Sequence, residues 1–83
     1  MIHELKTWPE YFIKVRYGQK RFEIRKDDRP FEESDQLLLK EWNPHDEEYT
    51  GREMLWDVLY ILRDAPTMGL MEGFVILSIA PPR

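Results

Sequence analysis

A lysine, a glutamate and an arginine stand at Lys20, Glu23 and Arg25, directly after a glycine at Gly18. In an extended segment side chains alternate between two faces, so Arg21, Glu23 and Arg25 would share one face and Phe22 and Ile24 the other. A carboxylate two residues from a guanidinium on the same face can hold it in a fixed pose. The lysine at the preceding turn adds a second, more mobile cation. Such a group is a small recognition surface. The same spacing also describes an amphipathic strand with a solvated charged face.

The elements around this stretch must position it. Thr7-Trp8-Pro9-Glu10 carries helix-start signals: a threonine able to cap, a glutamate three residues later able to complete a capping box, and a proline where no amide donor is needed. Trp8, Tyr11 or Phe12, and Val15 form an apolar stripe, and Gly18 suits a left-handed helix end, which predicts a helix from about Pro9 to Tyr17. Strands are expected over Ile2–Lys6, Arg21–Lys26, Gln36–Trp42 and Phe74–Ile79, with a turn at Asp27–Pro30, a polar hairpin loop over Asn43–Gly51 and a loop over Pro66–Gly73. Arg52–Arg63 fits both helical and alternating spacing, and its aromatic and branched content favours a long strand. One early helix and about five strands make an α+β fold, mainly β, in a single domain spanning residues 1–83: a small twisted sheet or barrel with the helix across one opening.

Composition narrows the chemistry. The chain of 83 residues has no cysteine, so neither a disulfide framework nor a thiolate metal site nor a cysteine nucleophile is available. The two histidines, His3 and His45, lack ligand spacing and read as ordinary surface or strand residues, so no metal and no cofactor are expected. No apolar run reaches the roughly 20 residues of a membrane helix, and the first residues lack the pattern of a signal peptide, which suggests a soluble cytoplasmic protein. The formal net charge is −4, yet residues 1 to 30 hold eight basic side chains against five acidic ones, and the rest hold four against eleven. A local basic patch on an acidic protein fits a short or small anionic ligand better than a long duplex.

Gly18-x-Lys20-x-x-Glu23-x-Arg25 resembles the signature of ASCH domains, the PUA-like barrels related to activating signal cointegrator. The likeness extends through His3–Pro9, Phe22–Lys26 with Asp28-Arg29, Tyr49–Glu53, Tyr60–Leu62 and Gly73–Leu77, stretches similar to the small bacterial and phage branch called DUF3850. The resemblance implies a PUA-like β-barrel in which Lys20, Glu23 and Arg25 line a cleft between the early helix and the barrel. It also implies that Arg52–Arg63 is a strand. Two positions depart from the pattern: Ser34-Asp35 stands where the family often has Gly-Asp, and Asp27 where the branch often has asparagine.

Three functions follow from these readings. In the first, an RNA- or nucleotide-binding module, Lys20, Arg25 and Arg29 meet phosphate or a base edge, while Glu23 accepts from an exocyclic amine or orients Arg25. Trp8 either stacks on a base or serves as a hydrophobic staple at the helix start. In the second, a hydrolase of a modified nucleoside or of RNA, Lys20 and Glu23 carry acid–base chemistry. ASCH amidohydrolases, however, resemble Gly-x-Lys-x-x-Thr with threonine as nucleophile, and this chain has Glu23 there. The third is a protein interaction module in which Glu23 and Arg25 form a structural ion pair and the acidic second half is the working surface.

Overall fold

The structure, a computed structural model, describes residues 1–83. Strand β1 (Ile2–Thr7) turns His3, Leu5 and Thr7 inward and leaves Ile2, Glu4 and Lys6 outside. Helix α1 (Pro9–Arg16) follows after one residue and buries Phe12 and Val15. The expected capping box does not form: Trp8 is the N-cap residue and makes no side-chain cap, with Pro9 starting the helix. Thr7 belongs instead to β1, and its hydroxyl lies 3.4 Å from Arg25. Proline's fixed φ at the first helical position is the start signal that operates.

The helix ends as the glycine predicts. Gly18 has φ +76°, the Gly18 amide donates to the Val15 carbonyl at 3.0 Å, and the Gln19 amide donates to Lys14 at 2.9 Å. This is a Schellman closure, and it turns the chain back within three residues into β2 (Phe22–Lys26). Strands β3 (Gln36–Asn43), β4 (Glu48–Leu62) and β5 (Phe74–Ala80) complete the sheet, and Pro66–Met68 form a single 3₁₀ turn. The hairpin loop is shorter than the turn residues suggested, because β4 begins at Glu48, with Glu48 and Tyr49 paired to Asn43 and Trp42.

The strands run in the order β1-β3-β4-β5-β2, with β1 parallel to β3 and every other pair antiparallel. The result is a mainly β, curled half-barrel in which β1 and β2 are the two free edges. Leu37, Leu39, Val58, Val75, Leu77 and Ile79 fill its interior, and Val15 closes it from the helix. No helix is long and apolar enough to cross a membrane.

Two buried carboxylates support this frame. Glu41 sits at a register break: one residue of β3 between Lys40 and Trp42 faces Thr50, Gly51 and Arg52 on β4. Gly51, at φ +94°, lets β4 arch there, and Thr50 and Arg52 fold onto Glu41. The Thr50 hydroxyl donates at 2.6 Å, and Arg52 donates through Nε at 2.9 Å and Nη2 at 3.0 Å. Arg52, whose guanidinium bonds the carboxylate, outweighs the opposing effect of burial and, with the Thr50 hydroxyl, holds Glu41 below its ordinary pKa. Asp35, just before β3, accepts from His3 Nε2 at 2.8 Å, the Glu32 amide at 3.0 Å and the Met1 amine at 3.1 Å. His3 is therefore a buried strand residue tied to Asp35, not a surface one.

Candidate functional site

Antiparallel pairing decides which face of β2 turns inward. Glu23 pairs with Leu77 and Arg25 with Val75, both core residues, whereas Phe22 pairs with Ser78 and Ile24 with Ile76. The charged face of β2 therefore points into the half-barrel, and the apolar face points out. Glu23 is only 2% exposed, while Ile24 is 54% exposed. This reverses the usual placement on an amphipathic strand and rules out a solvated Glu23.

A buried carboxylate needs partners, and Glu23 has three donors. Lys20 Nζ bonds Oε2, while Arg25 donates to Oε1 through Nη2 at 2.7 Å and Nε at 3.1 Å. Lys20 also donates to the Phe22 carbonyl at 2.7 Å. Arg25 Nη2 reaches across to the Lys6 carbonyl of β1 at 2.8 Å. Two cations around one anion leave a net positive site, and Arg25 Nη1 has no protein acceptor.

Above this group opens a cleft of about 500 Å³. Trp8 and Tyr11 at the start of α1 and Phe22 and Ile24 on β2 form its walls, and the end of β1 closes one side. Trp8 and Tyr11 are each 49% exposed, so the aromatic walls are open to a ligand. Lys20 Nζ stands 4.9 Å from the Phe22 ring and 5.9 Å from that of Tyr11, within cation–π range of both.

Four of the residues singled out in the sequence thus converge: Trp8, Lys20, Glu23 and Arg25 line one cleft. Arg29 does not join them. Its guanidinium lies 3.3 Å from the Glu4 carbonyl and 3.8 Å from Asp28, farther along β1. Sequence reasoning missed Tyr11 as a wall, although it stands three residues from Trp8 on the same helix face. Trp56 packs in the core, and Trp42 receives Lys6 Nζ at 3.9 Å. A single carboxylate between two cations is no metal ligand set, and no three His, Asp or Glu side chains gather elsewhere.

An open half-barrel with a clamped carboxylate under an aromatic cleft defines the class of domain. The chain belongs to the family described as Domain of unknown function (DUF3850), whose pattern matches residues 2–79. It is similar to a protein of Escherichia phage P2 described as "Uncharacterized 12.9 kDa protein in GpA 3'region", with 51% identity over 41 residues. That match covers 49% of this chain and 38% of the phage protein.

Proposed function

We propose that this chain is a PUA-like domain of the ASCH type that binds RNA or a nucleotide in the cleft over Lys20, Glu23 and Arg25. One observation carries the reading: a fully buried glutamate is clamped by two cations directly beneath half-exposed aromatic rings. An ion pair kept for stability alone contributes little and is better replaced by apolar residues when buried. A pair held under a stacking surface has a use. The third N–H of Lys20 and the free Nη1 of Arg25 meet phosphate or a base carbonyl, Glu23 fixes both cations and keeps one acceptor position for an exocyclic amine, and Trp8 or Tyr11 stacks on the base.

Hydrolysis suits the same residues less well. Glu23 accepts from three donors, Lys20 is bonded to Glu23 and to a backbone carbonyl, and the nucleophilic threonine of the amidohydrolase pattern is absent. None of these groups stands ready to take a proton from water.

The test is a titration of labelled single-stranded RNA, nucleoside monophosphates and nucleosides against the wild type, Trp8→Ala and Lys20→Gln. Trp8 is half exposed, so its variant keeps the fold and loses roughly 1 to 3 kcal/mol of binding if a base stacks there. Absence of binding to every one of these ligands overturns the proposal.

A further inference from the structure

At the other end of α1 lies an open groove of about 640 Å³, with Arg16 and Arg21 beside Tyr17 and Trp56, and Pro81 and Pro82 across from them. We propose that this groove is a second nucleic-acid site, one that takes a phosphate and the adjoining base of a single strand whose neighbouring nucleotide occupies the cleft. The proposal rests on the reading of the cleft given above.

The cations here are unspent. Of the seven arginines, Arg25, Arg29, Arg52 and Arg63 pair with carboxylates, and Arg16, Arg21 and Arg83 pair with none; Arg83 lines a different groove, so Arg16 and Arg21 are the two that share this one. The chain has sixteen acidic residues available, so two neighbouring arginines without an acid are not a result of scarcity. Placed together, they repel one another until an anion arrives.

Arg21 is also held in place. Its guanidinium carbon is 5.7 Å from the centre of the Trp56 ring. Gly18 also lies close to that guanidinium: a Cβ added there would stand 3.4 Å from Arg21 Nη2. A planar cation near an indole and close to bare backbone, with its donors free, is suited to phosphate, and the exposed Tyr17 ring beside it offers a stacking plane.

The groove and the cleft share a ridge. Lys20 lines the cleft and Arg21, the next residue, lines the groove, with Cα atoms about 3.8 Å apart across one peptide. A ligand crossing from one to the other passes over Lys20, and a single strand is the polymer that repeats a phosphate and a base along its length. An acidic peptide repeats charge without the stacking plane.

Oligouridylates of increasing length, from the mononucleotide to about eight nucleotides, are titrated against the wild type, the double variant Arg16→Gln/Arg21→Gln and Trp8→Ala. Wild-type affinity rises with length. The double variant binds the mononucleotide as the wild type does, loses roughly tenfold for the longest strand, and lowers the slope of log affinity against log salt by about 0.7 per arginine. A length gain that survives in the double variant overturns the proposal, as does displacement of the octamer by oligoglutamate as readily as by unlabelled octamer. Mononucleotide binding with no length gain overturns the groove and leaves the cleft standing. Arg21-dependent octamer binding without mononucleotide binding does the reverse.

Discussion

Arg25 on β2 donates to the Lys6 carbonyl on β1 at 2.8 Å, and so joins two edge strands that share no ladder. The same nitrogen bonds Glu23 at 2.7 Å. Arg25→Ala therefore removes the link across the opening and two of the three hydrogen bonds to a buried carboxylate. The expected loss is about 2 to 4 kcal/mol in urea denaturation, and adding Glu23→Gln recovers part of it by removing the orphaned charge. A loss under about 0.5 kcal/mol would contradict the arrangement.

Acid should act through Glu41 and Asp35. Arg52 holds Glu41 below its ordinary value of 4.5, and for Asp35, ordinarily 3.8, burial pushes upward but the bonds from His3, the Glu32 amide and the Met1 amine prevail. A carboxyl whose folded pKa is depressed stabilises the fold above its unfolded value, and that stability disappears as pH falls through the folded value. Thermal midpoints should drop steeply below about pH 4.5, and Glu41→Gln should flatten that part of the profile. Parallel profiles for variant and wild type would show that Glu41 is not the group responsible.

Ser34 occupies a glycine's conformation. Its φ is +78°, at the turn where the resemblance leads one to expect glycine, and its amide donates to the Val58 carbonyl at 3.1 Å. Ser34→Gly keeps that bond and relieves the strain, for a net gain of about 0.5 to 1 kcal/mol after the added flexibility of the unfolded chain. Lower stability in chemical denaturation would refute this.

Gly18→Ala should have the opposite sign. A side chain at φ +76° costs about 1 to 2 kcal/mol, and the new methyl comes into contact with the Arg21 guanidinium. The variant should be less stable, and the Trp56 indole resonance, which senses Arg21, should move. An unshifted resonance would mean that Arg21 does not rest on that ring.

Local signals carried much of the fold. Pro9 and Gly18 mark the ends of α1 within a residue, and the alternation in Phe22–Arg25 and Leu37–Trp42 marks two strands correctly. Alternation separates faces without saying which is inside, so the inward turn of Glu23 and Arg25 became visible only once Leu77 and Val75 stood opposite them. Glu41 shares parity with buried Leu37 and Leu39, a signal present in the sequence, but its partners Thr50 and Arg52 lie across a register break that spacing does not reveal. Thr7 misled for a related reason: its distant neighbour Arg25 takes the hydroxyl that capping would have used.

The Met1 carbonyl faces β3, so along β1 the carbonyls of Glu4 and Lys6 face the opening, and Arg29 and Arg25 take them. On β2 the outward Phe22 carbonyl goes to Lys20. Carbonyls of this kind are what an unfinished sheet offers to a passing strand of another chain. The basic side chains at this seam thus insulate the sheet from its own kind. Stripping Arg25 and Arg29 together should leave a more adhesive protein, seen as increased light scattering at high concentration relative to the wild type.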